Sequence, residues 1–128
     1  MNLNFKSDEG LFSEDQLQVL TTFIDYLHKE IPLDDINVKF VRNREGKMTT
    51  GVREPNGEMR ILAGDRMLLD VLRTTAHEWV HEYQHQIKHE KSKRDIGGPH
   101  ENEANAKSGE LLKLFVRYYP KYKKILYN

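Results

Sequence analysis

The sequence RMLLDVLRTTAHEWVHEYQHQI, residues 66–87, predicts a long helix with two histidines on one face. It contains neither glycine nor proline, and its apolar residues recur at steps of three and four. His77 and His81 lie beside this apolar stripe, one turn apart, with their β-carbons about 6 Å from each other. One metal ion can bind both imidazoles at about 2.0–2.1 Å. The stripe consists of Leu68, Leu72, Ala76, Val80, Tyr83 and Ile87.

Glu78 directly follows the first histidine and points toward the same cleft. It cannot reach the metal as a third ligand from the same helix, but it can take a proton from water as a general base. His85 and His89 continue the four-residue spacing. A straight helix carries them about 6 Å and 12 Å along its axis from His81, so we expect them to be solvated.

The third ligand must come from elsewhere, because a catalytic zinc usually has three protein ligands and a water. A histidine six residues after His81 would fall at Ile87, which cannot bind a metal. An acidic residue on a second helix remains. Glu101 is that candidate, with Asn105 one turn later on the same face, and Glu103 is its rival.

These motifs resemble the gluzincin metallopeptidases, in particular the small single-domain members of the ImmA/IrrE-like or minimal type. The resemblance implies Zn²⁺ held by His77, His81 and Glu101, with Asn105 as a partner of a ligand histidine. Many gluzincins carry aspartate in place of Asn105, and an amide orients an imidazole less strongly than a carboxylate. The motifs that carry the resemblance are His77-Glu78-x-x-His81 and Glu101-x-x-Ala104-Asn105.

The composition indicates one domain spanning residues 1–128, with 38% hydrophobic residues to form a single core. The absence of cysteine excludes disulfides and a thiolate zinc site. No apolar run approaches the roughly 20 residues of a membrane span, and the first residues do not resemble a signal peptide. We therefore expect a cytoplasmic protein with no membrane partner.

The net charge is zero, but the basic residues are concentrated after residue 35. Two basic clusters and several tyrosines in the tail permit a weak association with nucleic acid. Solvated helix ends and tyrosines packed on the core account for the same pattern. The clusters are Lys88, Lys91, Lys93 and Arg94, and then Lys121, Lys123 and Lys124, with Tyr118, Tyr119, Tyr122 and Tyr127 nearby.

The residues before the motif predict a helix and a small sheet. Ser13 and Gln16 form a capping box for a helix that should end near Ile31-Pro32. Segments 36–41, 48–53 and 58–63 are β-prone and separated by turns. The expected fold is α+β: an N-terminal helix, a three-stranded, mainly antiparallel sheet, the motif helix and the helix that carries Glu101. The resemblance implies an edge strand that receives the substrate, with the third strand favoured and the second as the alternative.

Residues 91–99 predict a loop, because they combine two glycines, a proline and several charges. This loop lets the next helix, which begins near His100, fold back so that Glu101 faces the metal. Gly97-Gly98 would allow the loop to move as a lid. His100 is a candidate for stabilising the oxyanion of a tetrahedral intermediate, or it simply begins the helix.

The predicted function is that of a zinc metallopeptidase with Glu78 as general base and a protein or peptide as substrate. The same ligand set can bind Fe²⁺, Mn²⁺ or Ni²⁺. One alternative is a non-catalytic metal-binding structural module, and another is a nucleic-acid-associated module. The presence of Glu78 favours the peptidase, since metal binding alone does not require it. The substrate sequence and the oligomeric state stay open.

Overall fold

The structure is a computed structural model that describes residues 3–43, 49–86 and 99–127, with only the backbone of Pro99 and His100. The strands are β1 (Leu3–Ser7), β2 (Ile36–Val41), β3 (Gly51–Arg53) and β4 (Glu58–Leu62). The helices are α1 (Glu14–Glu30), α2 (Leu68–Gln86), α3 (Pro99–Tyr118) and α4 (Lys123–Leu126), with a 3₁₀ turn at Pro120–Tyr122. The mixed α+β class predicted from the sequence is therefore confirmed.

The sheet differs from the predicted one in strand number and direction. Within the described residues it has four strands in the order β1-β2-β4-β3. β1 pairs with β2 and β2 with β4 in parallel, and only β3 and β4 are antiparallel. The prediction of three mainly antiparallel strands was wrong, because it treated neighbours in sequence as hairpins. Helix α1 joins β1 to β2, and such a crossover permits parallel pairing.

The edge of the sheet beside the motif helix is β3, and β4 lies inside the sheet. The third predicted strand, at 58–63, is therefore not an edge, whereas the second predicted strand is an edge of the described sheet. That this edge receives a substrate stays a prediction. Gly57 forms the tight turn between these two strands with a φ of 90°. Its N–H donates to the carbonyl of Glu54 at 2.9 Å, which closes the hairpin indicated by Asn56-Gly57.

Helix α1 begins as predicted and helps to form the core. The Ser13 side chain accepts from the Gln16 N–H, and the Gln16 side chain accepts from the Ser13 N–H. The backbone N–H of Ile31 closes the last turn. Trp79 of α2 is fully buried and donates its indole N–H to the Ile31 carbonyl at 2.8 Å. This hydrogen bond connects the end of α1 to α2.

Helix α2 packs along α3 and also contacts β3 and β4, so α2 lies between α3 and the sheet. The predicted apolar stripe is buried from Leu68 to Val80 and half-buried at Tyr83, while Ile87 lies outside the described residues. Ala104 of α3 is fully buried. A small side chain here allows close approach of two helices.

The C-terminal tyrosines divide into two groups. Tyr122 is buried and stacks on Tyr119 with ring centres 5.6 Å apart, so this pair belongs to the core. Tyr118 and Tyr127 are exposed. No described helix has the length and apolarity that crossing a membrane requires.

Candidate metal centre and pocket

Three side chains from α2 and α3 converge on one point. His77 Nε2 and His81 Nε2 lie 3.1 Å apart. Glu101 Oε1 lies 2.7 Å from His81 Nε2, and Glu101 Oε2 lies 3.2 Å from His77 Nε2. Within the described residues, this group offers three ligand atoms within 4.8 Å of one another, and it could hold a metal ion. The structure thus brings together the three residues predicted as ligands.

A neighbouring hydrogen-bond chain orients His81. Gln84 Nε2 donates to Glu103 Oε1 at 2.9 Å. Because a carboxylate only accepts, the amide nitrogen of Gln84 must face Glu103, and its oxygen then faces His81. That oxygen lies 2.9 Å from His81 Nδ1, so Nδ1 carries the proton and donates. When the ring is neutral, its other nitrogen, Nε2, presents a lone pair to the metal group.

The metal group therefore contains acceptors that face one another. Glu101 Oε1 is buried and, among the described residues, makes no conventional hydrogen bond, although it lies close to Nε2 of His81. Two acceptors at this distance repel unless a cation or a second proton lies between them. Ligands at about 2.0–2.1 Å around tetrahedral zinc would be about 3.3 Å apart, close to the two longer separations found here. The donor set and its spacing fit a divalent transition metal.

The histidine partner found in the structure is not the one that the resemblance implied. For His81 this partner is Gln84, from the same helix and three residues later. Asn105 is exposed, and its backbone carbonyl accepts from the Ser108 hydroxyl at 3.2 Å. The sequence does contain the signal for Gln84, because an i, i+3 pair meets on a helix face. Glu103, the rival ligand, is the acceptor at the end of this hydrogen-bond chain.

Glu78 lies in a buried position against the edge strand. Its side chain is 2% exposed. A β-carbon added at Gly51 of β3 would lie 2.8 Å from Glu78 Cγ and 3.0 Å from Glu78 Oε2. Only glycine lets the strand approach the carboxylate this closely without a shift. Strand β3 is also held on α2 by an ion pair of 2.7 Å between Arg53 and the buried Glu82.

A pocket of about 710 Å³ opens beside these side chains. His77 and Glu78 form part of its wall, together with residues from β3, its preceding turn, α2 and α3. Sequence reasoning had not assigned most of this wall, because its residues are far apart in the chain. The other lining residues are Thr49, Thr50, Gly51, Arg73, Thr74, Asn105, Ser108 and Gly109.

Several predicted features lie outside the described residues. They are the His100 side chain, His89, the lid glycines at 97–98 and the basic cluster of residues 88–94. His85 is exposed, as predicted for a solvated residue. Lys121, Lys123 and Lys124 are exposed on the tail, and nucleic-acid association through them stays a prediction.

The chain matches no protein-family model, and neither a curated protein nor a solved structure matches it. The class of this protein therefore rests on its own residues and their geometry.

Proposed function

We propose that this protein is a zinc-dependent peptidase of gluzincin type. The observation that carries the proposal is the position of Glu78, a buried carboxylate next to His77 in the wall of the pocket beside the metal group. Metal binding uses His77, His81 and Glu101 and has no need of a carboxylate at position 78. A carboxylate in this position is suited to take a proton from a water molecule in the pocket.

In this proposal His77, His81 and Glu101 hold the metal, and Gln84 keeps Nδ1 of His81 protonated. When bound, zinc would polarise the scissile carbonyl and make water a better nucleophile at neutral pH. Glu78 accepts the proton that water loses as its oxygen attacks the carbonyl carbon. The same carboxyl group then returns this proton to the leaving amine as the C–N bond breaks.

Strand β3 is the proposed binding site for the peptide substrate. This strand lies at an edge of the described sheet, and its first residue packs against Glu78. An extended peptide that paired with an edge strand would have its backbone held by main-chain hydrogen bonds. Binding along β3 would bring the scissile bond of a peptide past Glu78 and His77.

The test compares the wild type with Glu78→Gln, both loaded with zinc, on a complex peptide mixture whose new termini are read by mass spectrometry. We expect equal zinc content and a cleavage rate at least about 100-fold lower in the variant, because the amide cannot accept the proton. Glu110→Gln is the matched control, since Glu110 is exposed on α3 and does not line the pocket.

Full activity of Glu78→Gln would overturn the mechanism. Zinc binding by the wild type without cleavage of any peptide would support the alternative of a non-catalytic metal-binding module.

A further inference from the structure

The wall of the pocket that contains His77 also includes a positively charged side chain and an exposed glycine with open space beside it. Arg73 lies one turn before His77 on α2 and lines the pocket. Among the described lining residues it is the only lysine or arginine. Gly109 of α3 lines the same pocket, and a β-carbon added there would meet no atom within 4 Å.

No steric contact within the described part of the protein requires a glycine at position 109. Gly109 lies in the interior of a 20-residue helix, where glycine is less favourable than alanine. Nothing in the described part of the chain would collide with a methyl group at this position. A glycine in the wall of a pocket leaves room there for part of a ligand.

Among the residues that the structure describes, the guanidinium of Arg73 makes only a weak ion pair. Its Nη1 lies 3.4 Å from Asp70 Oδ1, and both side chains are about half exposed. Such surface pairs contribute little, and this one involves a single nitrogen of a group with five N–H donors. A guanidinium binds a carboxylate through two parallel hydrogen bonds, so a ligand carboxylate can compete with Asp70.

We propose that Arg73 and Gly109 form a subsite for a carboxylate of the peptide substrate, so that Arg73 is a specificity-determining residue. This inference rests on the proposed peptidase function. Arg73 is four residues from His77, about 6 Å along the helix axis, which corresponds to about two residues of extended peptide. The carboxylate belongs either to an aspartate or glutamate side chain or to a free C-terminus near the cleaved bond.

The test uses the zinc-loaded full chain and three small probes followed by NMR. N-acetyl-glutamate methylamide represents the side chain, N-acetyl-alanine free acid represents a C-terminus, and N-acetyl-glutamine methylamide is the neutral control. We expect at least one acid to shift the Arg73 Nε–H and Gly109 amide signals, with no such effect from the glutamine probe. The acid that binds more tightly identifies the source of the carboxylate.

Two variants and one internal control make the test decisive. Arg73→Gln should lower the affinity for the acid probe at least fivefold. Arg117→Gln, on the exposed part of α3, should leave this affinity unchanged. Gly109→Ala should lower the affinity for the acid probe at least threefold. The same variant should raise Tm by about 2–5 °C, since alanine stabilises a helix interior. The proposal falls if Arg117 Nε–H responds as strongly as Arg73, or if the acids perturb only signals around His81.

The probe result and the peptidase result are separable. If the acids bind at Arg73 and no peptide is cleaved, the peptidase function fails and the carboxylate subsite stands. If peptides are cleaved with no preference for acidic residues or free C-termini, and the probes do not bind at Arg73, the subsite fails and the peptidase function stands.

Discussion

Gln84 accepts a hydrogen bond from Nδ1 of His81 at 2.9 Å, and its amide nitrogen donates a hydrogen bond to Glu103. Both Gln84 and His81 are buried, so water does not readily replace this contact. The chain fixes which ring nitrogen faces the metal group before any metal binds. Removal of such a partner of a ligand histidine typically lowers metal affinity about 10–100-fold.

Replacing Gln84 should therefore weaken zinc binding without removing a ligand. We expect Gln84→Leu to raise the Kd for zinc about 10–100-fold in a competition titration against a chelator. Gln86→Leu is the matched control, because Gln86 lies on the same helix and bonds Glu82 and Asp34 instead. An equal loss in both variants would assign the effect to helix stability.

The two glutamates of α3 should differ in their effect on metal content. Glu101→Ala should abolish zinc binding, since it removes one of three ligands. Glu103→Ala should keep one zinc per chain and weaken its Kd up to about tenfold, through Gln84. Elemental analysis of both variants beside the wild type measures this difference. Loss of zinc in Glu103→Ala alone would make Glu103 the ligand.

Gly51→Ala should disturb the proposed general base directly. The added methyl group would lie 2.8 Å from Glu78 Cγ and 2.9 Å from Thr74 Cγ2, so the carboxylate must move or β3 must shift. We expect a loss of about 1–3 kcal/mol in the free energy of unfolding and a fall in cleavage rate with zinc retained.

Ile61→Val is the control for that experiment. Ile61 is fully buried and pairs with Gly51 across β3 and β4. Its truncation should cost about 0.5–1.5 kcal/mol, and it removes a buried carbon without adding any atom beside Glu78. A similar fall in cleavage rate for Ile61→Val would show that the rate follows stability and not the position of the base.

Tyr26 should make stability depend on pH in the alkaline range. Its hydroxyl donates to the Leu111 carbonyl at 2.9 Å. Burial, and then the nearby Glu30, raises the pKa of Tyr26 to about 12 from its usual 10. The neutral phenol is therefore favoured in the folded state, and its contribution is complete below pH 10 and lost as the pH rises toward 12.

Tyr26→Phe tests this relationship. At pH 7 the variant should lose about 1 kcal/mol, the typical value of one hydrogen bond. Urea denaturation at several pH values should show this difference shrinking between pH 10 and 12, because only the wild type must ionise Tyr26 on unfolding. A difference that is constant over this range would contradict the raised pKa.

Local patterns allowed the prediction of the three long helices and of one hairpin. The apolar stripe of α2, the capping box at Ser13 and the Asn56-Gly57 turn each depend on residues within a few positions of one another. Strand β1 was missed, although Leu3 and Phe5 alternate with polar residues. Its partner β2 begins at Ile36, and the pairing depends on that distant strand together with the ring contact of Phe5 and Phe40.

The sequence by itself determined which side chains could carry the chemistry: two histidines one turn apart, a glutamate between them, and acidic residues on a later helix. Spacing along a helix fixes these relationships because its rise and twist are constant. Only the tertiary structure decided that Glu101 faces the histidines while Glu103 bonds Gln84, and that β3 rather than β4 is the edge strand. It also placed Arg73 and Gly109 in one pocket. Those relationships depend on how α3 and the strands pack against α2, which no short stretch of the chain encodes.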